Sequence, residues 1–588
     1  MSQTLNKSSE KVTTPTSEQI FDVIVVGSGI TGGWAAKEFC EKGFKTLVIE
    51  RGRHLDHPSP EYNDMKAPWQ LDNLGFAPET LKEQGRYSQL IAKKKVLKSD
   101  SIQFYSDDSE YPYSFPKERP FMWTRGYQLG GRSLTWGRQV LRWGKKDFDA
   151  NAKDGHGVPW PIGYDDLAPW YDYVEEFIGV AGNKDGLDSV PDGVFQKPWE
   201  MSSAEQFIAK NIARKYSDRH LIIGRSANLT QPTQKQQQLG RIQCQARAYC
   251  ARGCTFGAYF SSLSATLPAA RNTGNLTIVT DAIASSIDYN EATGKASGVT
   301  IVDAHTKEKR SYKARVVFLC ASALGSVQIL LNSKSKTFPN GIANSSGAVG
   351  HYIMDHFTGA VGMGEVPGLE DKFSYGRRPI GTYIPNYRQD KTDDVDFIRG
   401  YGFQTVAASR PSSGTTAKKI GIGVEVKAQA NQPKPWYFRA FMYGEILPYY
   451  ENQANLHPTK KDAWGIPQLH IDAQIRDNER KMIKQAAKDI KEILEVGGCN
   501  KVKIIETPND KHITVGNRTH EMGGACMGAN PKTSVLNKWA QSHDVANLFV
   551  TDGACMSSCA TQNPSLTYMA ITARAADYAV KLMNEGTL

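Results

Sequence analysis

The sequence lacks the features that mark several classes of protein. Its longest apolar runs, such as residues 23–26 and 316–319, are far shorter than the ~20 residues of a membrane-spanning helix. Nine cysteines in 588 residues are too few for a disulfide scaffold. The excess of Lys and Arg over Asp and Glu, 71 against 61, is small, and no basic run reaches five residues, which argues against a nucleic-acid partner.

Residues 1–20 are polar, contain no apolar segment typical of a secretory signal, and are expected to form a disordered tail. At roughly 100–200 residues per domain, the remaining length predicts more than one domain, and we expect two large ones. An ordinary composition, with 40% hydrophobic and 22% charged residues, excludes coiled-coil and collagen-like chains.

A dinucleotide-binding pattern opens the ordered part of the chain. Phe21–Val26 reads as a buried strand, and Gly27, Gly29 and Gly32 form a G-x-G-x-x-G motif before a helix. In this pattern Gly27 permits a tight turn, Gly29 allows the backbone to approach a pyrophosphate, and Gly32 allows close packing of helix on strand. The motif therefore predicts a site for FAD or NAD.

Glu50 ends the next predicted strand, Lys45–Glu50, where a carboxylate can accept hydrogen bonds from both ribose hydroxyls. This acid disfavours a cofactor with a 2′-phosphate. The motif does not by itself separate FAD from NAD, although its position near the start of a long chain favours a flavoprotein.

Other segments have clear periodicity. Arg315–Asn332 predicts a strand, a turn and a helix; Asp477–Val496 and Ser565–Asn584 predict helices. Alternating patterns at Ile420–Val426 and Tyr437–Leu447 predict antiparallel strands.

Four further segments carry a family resemblance. They are 130–137 (GGRSLTWG), 520–528 (HEMGGACMG), 546–553 (ANLFVTDG) and 563–567 (NPSLT). Together, and in this order, they resemble the glucose–methanol–choline (GMC) oxidoreductases, a family that binds FAD. The resemblance runs from about residue 21 to residue 585.

The resemblance implies an α/β fold, in which a Rossmann-type FAD domain is joined to an α+β substrate domain built on an antiparallel sheet. The FAD domain is expected to be discontinuous, with segments 21–150, 240–360 and 512–588. The substrate domain is expected to comprise 151–239 and 361–511.

The resemblance also places residues around FAD. Gly130, Gly131 and Ser133 are expected near the flavin and pyrophosphate, Asp552 and Gly553 near the ribityl and phosphates, and Ala282 near the adenine. Some members attach FAD through a histidine where this sequence has Thr135. Non-covalent FAD is therefore expected.

The resemblance assigns the catalytic pair as His520 and Asn563. Histidine has an ordinary pKa suited to removing a hydroxyl proton, and Asn563 is expected to hold the hydroxyl oxygen. The hydride is expected to pass to flavin N5. His351, His356 and His543 are alternatives; we interpret His543 as a surface-loop residue and His356 as structural.

Three cysteines, Cys244, Cys250 and Cys254, lie within eleven residues. No neighbouring His or fourth Cys completes a zinc site. The spacing is similar to that of the 3Fe–4S site in FAD-dependent sugar dehydrogenases of the GMC family, and three thiolates suit such a cluster. The alternative is structural thiols, or a disulfide and one free thiol. We interpret a second pair, Cys555 and Cys559, as core residues.

These expectations combine into a dehydrogenase that oxidises a sugar or glycoside hydroxyl, with C3 of a glucoside as the first choice. By resemblance, its partners are a small exported subunit, which would carry the chain to the periplasm, and a cytochrome c acceptor; a cytoplasmic location is the alternative. Two other functions remain open: an oxygen-using oxidase of the pyranose type with structural cysteines, and a flavoprotein that serves only electron transfer or scaffolding.

Overall fold

The computed structural model describes residues 19–76, 78–92, 100–373, 376–389, 394–408, 423–424, 435–507 and 513–588. The strands are β1 (Ile20–Val26), β2 (Thr46–Ile49), β3 (Ile222–Ile223), β4 (Leu276–Val279), β5 (Ala282–Asn290), β6 (Lys295–Asp303), β7 (Lys309–Leu319), β8 (His356–Phe357), β9 (Ala360–Val366), β10 (Thr382–Ile384), β11 (Tyr401–Ala408), β12 (Trp436–Glu445), β13 (Gln453–Lys461), β14 (Pro467–Asp472), β15 (Asn500–Glu506) and β16 (Leu548–Val550). The α-helices are α1 (Ile30–Glu41), α2 (Glu79–Glu83), α3 (Ser88–Ala92), α4 (Lys145–Asp154), α5 (Tyr164–Ile178), α6 (Ser203–Lys215), α7 (Gln234–Gln238), α8 (Thr266–Arg271), α9 (Ala323–Asn332), α10 (Asp477–Val496) and α11 (Ser565–Asn584).

The first sheet has the order β4–β2–β1–β7–β6–β5, and β16 pairs with the C-terminal part of β7. Strands β4, β2, β1, β7 and β16 are parallel, whereas β5 and β6 are antiparallel. β2 is buried throughout and β1 almost so, as expected for the centre of a parallel sheet that is covered on both faces. Helix α1 packs on this sheet, and α8 and α11 each pack against α1.

Side chains from three distant segments meet on this sheet. The rings of Phe318 in β7 and Phe549 in β16 are stacked with their centroids 4.7 Å apart, and Phe39 of α1 packs edge-on against Phe318 at 4.9 Å. All three rings are fully buried. The contact joins the N-terminal, middle and C-terminal parts of the chain into one core.

The second sheet is antiparallel, with the order β15–β9–β12–β11–β10–β3 and with β8 paired to β12. Helix α10 packs on β9 and β15 through a buried stripe that includes Met482, Ile483, Ala486 and Ile490. Gly362 of β9 allows this close approach, because a Cβ there would lie 2.2 Å from a methyl group of Ile490.

These observations confirm the expected fold class, a Rossmann-type parallel sheet combined with an antiparallel sheet. The predicted helices Asp477–Val496 and Ser565–Asn584 are confirmed, as is the predicted strand near Tyr437–Leu447. Of the predicted strand Ile420–Val426 only residues 423 and 424 are described, and nearly all of the predicted tail lies outside the described residues. The domain boundaries stay a prediction. Among the described residues, no helix is both long enough and apolar enough to cross a bilayer.

The turn between β1 and α1 depends on two glycines. Gly27 has a φ of +96°, in the left-handed region that favours glycine, and a Cβ there would lie 2.4 Å from the carbonyl oxygen of Cys320. A Cβ on Gly32 would lie 1.8 Å from the carbonyl oxygen of Gly27. A Cβ on Gly29, in contrast, would meet no atom within 4 Å.

We therefore expect Gly32→Ala to lower the free energy of unfolding by about 1–3 kcal/mol or more, because the added methyl group overlaps the turn. The matched variant Gly29→Ala should stay within about 1 kcal/mol of wild type, since its methyl group enters open space. Denaturant titration of both variants measures the difference. Equal stability of the two would contradict the packing role of Gly32.

Candidate functional site

A long cavity lies at the edge of the first sheet where its parallel strands end. Val26, Ile49 and Leu319 are in register across β1, β2 and β7, and Val550 pairs with Leu319. The residues that follow these strands therefore meet at one edge, the usual location of a binding site in an open α/β sheet. The lining includes the predicted residues Gly27, Gly29, Glu50, Gly131, Ser133, Ala282, His520, Asp552, Gly553 and Asn563.

Glu50 is held at the end of β2 by groups from the glycine turn. Its Oε2 accepts hydrogen bonds from the backbone N–H and the hydroxyl of Ser28, and its Oε1 accepts one from the N–H of Gly52 at 2.8 Å. Burial raises the pKa of Glu50. The carboxyl group is thus fixed in the wall of the cavity, beside the segment that begins at Ala282.

The predicted loop at 130–133 packs directly on this turn. The N–H of Gly130 donates to the Ser28 hydroxyl at 2.9 Å, and Gly131 begins a short 3-10 helix, Gly131–Leu134. Ser133 donates to the carbonyl of Gly130 and lies 3.1 Å from the hydroxyl of Ser262. Gly32 and Gly130 do not line the cavity. They lie behind the lining residues, where the lack of a side chain allows neighbouring groups to pack closely.

Asp552 follows β16 and is fully buried beside the cavity. One carboxyl oxygen accepts the N–H of Ala554 at 2.9 Å, and the other accepts the hydroxyl of Ser326. Burial raises the pKa of Asp552 to about 6. Gly553 lines the cavity next to it, and a Cβ there would lie 2.3 Å from the carbonyl oxygen of Glu521.

This arrangement suits a dinucleotide. The open space at Gly29 lies at the N-terminus of α1, where free N–H groups and the helix dipole favour a pyrophosphate. Glu50 lies in the wall of the same cavity, where it would meet a ribose. The residues present therefore fit FAD, although the role of each stays a prediction.

His520 and Asn563, the predicted catalytic pair, are in contact in the wall of the cavity. The Nδ2 of Asn563 lies 3.2 Å from the Nε2 of His520, and both residues are half-buried in the cavity wall. Gln404 of β11 donates from Nε2 to the Oδ1 of Asn563 at 3.0 Å. The structure thus brings together the two residues of the predicted catalytic pair and adds a third from the antiparallel sheet.

His356 also contacts this site through His520. The sequence pattern, from which His356 is interpreted as structural, does not predict this contact. Its Nδ1 lies 2.8 Å from the Nδ1 of His520, and its Nε2 lies 3.0 Å from the carbonyl oxygen of Ala560. Burial lowers the pKa of His356 to about 4. The adjacent Asp355 carboxylate accepts three backbone N–H groups, so these residues form a hydrogen-bonded set rather than an open metal centre. The Asp355-His356 dipeptide was the only sequence signal for it.

Arg132 and Glu521 form a second feature that sequence reasoning did not identify. The Nη2 of Arg132 lies 2.8 Å from the Oε2 of Glu521, whose side chain is buried. Both residues line the cavity next to His520. The pair places a compensated charge in the wall, which a buried carboxylate requires.

Residues 244–254, here called the cysteine loop, lie outside the lining of this cavity but are connected to it. All three of its cysteines are free and half-buried. Burial, with a smaller contribution from the neighbouring Cys250 and Cys254, raises the pKa of the Cys244 thiol to about 11. The loop therefore gathers three mutually interacting thiols rather than a disulfide.

Two alanines in this loop, Ala246 and Ala248, have φ values of +51° and +56°. Such left-handed conformations cost on the order of 1–3 kcal/mol each and cluster at functional sites. After the loop, the N–H groups of Ala258 and Tyr259 point to the Cys254 thiol, and the Tyr259 hydroxyl donates to the carbonyl of Leu134 at 2.8 Å. A bonded path thus joins Cys254 to the helix that lines the cavity.

Cys555 and Cys559 are fully buried free thiols, and burial raises the pKa of both well above its ordinary value. This agrees with their interpretation as core residues.

Comparison with solved structures gives the fold. The chain is similar to pyridoxine 4-oxidase from Mesorbium loti, with a TM-score of 0.59 and 16% identity over 95% of this chain and 99% of that one. At this identity the likeness concerns the fold alone.

Comparison with characterised sequences gives relatives along nearly the whole chain. The fructose dehydrogenase large subunit of Gluconobacter japonicus is 25% identical, over 96% of this chain and 98% of the relative. The 2-methyl-1,2-propanediol dehydrogenase of Mycolicibacterium austroafricanum is 27% identical over 96% of each chain. The gluconate 2-dehydrogenase flavoprotein of Pantoea cypripedii is 25% identical, over 96% of this chain and 94% of the relative.

Family models described as GMC oxidoreductase match residues 21–358 and 448–572. The first match spans the glycine turn, Glu50 and the 130–133 loop, and the second spans His520, Asp552 and Asn563. The chain therefore belongs to the GMC oxidoreductases, enzymes that bind FAD.

Proposed function

We propose that the protein is a dehydrogenase with non-covalent FAD that oxidises a secondary or anomeric hydroxyl of a sugar or glycoside, with C3 of a glucoside as the position. The contact between His520 and Asn563 in the cavity wall carries this proposal. Support for the substrate class comes from relatives named for fructose and gluconate.

In this proposal Asn563 and His520 act on the same hydroxyl group of the substrate. Asn563 donates a hydrogen bond to the hydroxyl oxygen and fixes its position, and the Nε2 of His520 removes the hydroxyl proton. When bound, FAD would supply the acceptor for the hydride of the same carbon. One C–H bond and one O–H bond break, a C=O bond forms, and the proton stays on His520 until solvent removes it.

For the electrons, we propose a 3Fe–4S cluster held by Cys244, Cys250 and Cys254. Three free thiols in a strained loop support it, together with the path from Cys254 to Leu134. Such a cluster supplies one-electron transfer, and the proposed acceptor is a cytochrome c.

We also propose that a small partner subunit carries the chain to the periplasm. One relative is itself named a large subunit, which supports an assembly of several chains.

A second candidate function is an oxidase that passes electrons to oxygen and uses the cysteines only structurally. Paromamine 6′-oxidase from Streptomyces fradiae, a relative 24% identical over 95% of this chain, favours it.

Anaerobic titration of the purified enzyme with glucose, fructose, gluconate and methyl glucosides tests the leading function by bleaching of the flavin. Failure of every compound to bleach it contradicts that function, and rapid peroxide formation in air would favour the oxidase.

His520→Ala should slow flavin reduction by about 10²–10⁴-fold, the range that a general base supplies, while FAD stays bound. Stopped-flow absorbance with the most active compound of the titration measures the rate, and the flavin spectrum measures occupancy. His351→Ala, which alters a histidine outside the cavity lining, is the matched control and should reduce normally. Normal reduction in His520→Ala would refute the role of His520.

Cys250→Ser should remove iron and slow cytochrome c reduction far more than flavin reduction, because only the exit of electrons depends on the cluster. Metal analysis and the visible spectrum give the iron content, and parallel assays give both rates. Cys499→Ser, at a cysteine distant in sequence from the loop, should retain the iron. Unchanged iron in Cys250→Ser would rule out the cluster.

A further inference from the structure

A chain of hydrogen bonds crosses the catalytic end of the cavity and contains four side chains. It begins at Gln404 in the antiparallel sheet, continues through Asn563 and His520 to His356, and ends at the carbonyl of Ala560. Its links measure 3.0, 3.2, 2.8 and 3.0 Å in that order. Each lies within hydrogen-bond range, so Asn563, His520 and His356 are each engaged on both sides.

The final carbonyl determines the direction of the chain. A backbone oxygen can only accept, so the Nε2 of His356 must carry a proton. His356 is a neutral imidazole at ordinary pH, because burial holds its pKa at about 4. Its Nδ1 therefore has a lone pair, and the proton between the two rings belongs to the Nδ1 of His520.

The same reasoning leaves the Nε2 of neutral His520 without a proton. Asn563 donates to it from Nδ2, and Gln404 holds the Asn563 amide in the matching orientation by donating to its Oδ1. The lone pair that a base needs is thus on the ring nitrogen beside Asn563, and not on the nitrogen that faces His356.

The backbone keeps the two rings in place. The Oδ1 of Asp355 accepts the N–H of His356 at 2.8 Å and the N–H of His520 at 3.0 Å, while its Oδ2 accepts the N–H of Arg518 at 3.0 Å. One fully buried carboxylate therefore ties the strand that carries His356 to the loop that carries His520. The ring-to-ring distance follows from this shared anchor.

We propose that His356 is the positioning residue of the active site, and that it selects the tautomer of His520 by accepting its Nδ1–H. The proposal rests on the proposed function, since it matters to catalysis only if His520 is the base. When the base takes up a substrate proton, the resulting imidazolium still donates to His356 from Nδ1, so the ring does not have to turn.

The first test measures tautomers, without any substrate. Protein labelled with ¹⁵N-histidine is examined by NMR at pH 8, above the ordinary histidine pKa of about 6.5, in the FAD-bound enzyme. The ¹⁵N shifts separate ring nitrogens that carry a proton from those with a lone pair. The signals of the two rings are assigned by their loss in His520→Ala and in His356→Asn. We expect His520 as the Nδ1–H tautomer; observation of Nε2–H would overturn the proposal.

Two variants at position 356 then separate hydrogen bonding from packing. Asparagine can present an amide oxygen near the place of the Nδ1 of His356, whereas alanine cannot accept a hydrogen bond. His356→Asn should keep His520 as the Nδ1–H tautomer, and His356→Ala should release it to the Nε2–H form. A His520 signal that is the same in both variants would refute the selection of the tautomer by His356.

The second test is kinetic and uses the compound that reduces the wild-type flavin fastest. His356→Ala should lower the limiting rate of flavin reduction by about 10- to 100-fold, as part of the ~10²–10⁴-fold that a general base supplies, with little change in KM. His356→Asn should recover most of that rate. Equal losses in both variants would mean that His356 acts by packing alone and would overturn the proposal.

The outcomes separate this inference from the proposed function. If His520→Ala reduces flavin normally, the proposed function fails, yet the NMR result still decides the tautomer. If His520→Ala is inactive but His356→Ala reduces flavin at the wild-type rate, the role of His520 as the base is supported and the positioning role of His356 is refuted. Should His356→Ala not fold, the wild-type spectrum and His356→Asn still decide the matter.

Discussion

The structure depends on the alignment of parallel strands in its first sheet. Because Val26, Ile49 and Leu319 are in register, the residues after them arrive together: the turn at Gly27, the carboxyl group of Glu50 and the segment from Cys320. Pairing of β16 with β7 adds Asp552 from near the other end of the chain. Segments more than five hundred positions apart in sequence thereby share one cavity, and a shift of one strand would remove its contribution.

The glycine turn and the long helices could be predicted from sequence because local rules determine them, whereas Ser133, His520, Asp552 and Asn563 were expected only from the family resemblance. The spacing of Gly27, Gly29 and Gly32 reflects atoms within a single turn, and the helices α10 and α11 follow from uninterrupted periodicity. His356 could not be recognised in this way. Its contact is with the ring of His520, 164 positions away, and nothing in the local pattern of Asp355-His356 distinguishes a buried core histidine from one that contacts a residue of the cavity wall. The contact of Gln404 with Asn563 could not be recognised for the same reason, because Gln404 lies in a strand with an ordinary alternating pattern.

The surroundings of His520 and of the cysteine loop differ in character. Around His520 the imidazole nitrogens contact His356 and Asn563, and the buried Glu521 has its counter-ion in Arg132. At the cysteine loop burial raises the pKa of the Cys244 and Cys254 thiols, and the backbone is strained at Ala246 and Ala248. The first environment suits a proton that moves a short distance along a defined line. The second suits soft ligands that lose their protons when a metal binds.

The bond between Gln404 and Asn563 has a consequence for how the enzyme can diversify. It spans from the antiparallel sheet, where the resemblance to the family is weakest, to the C-terminal segment that carries the family's motif. A displacement of β11 by about an ångström would stretch this 3.0 Å contact beyond hydrogen-bond range. Evolution can therefore reshape the outer strands of that sheet for new substrates more freely than the single strand that holds Gln404. Adaptation to a new substrate is in this sense limited at one point.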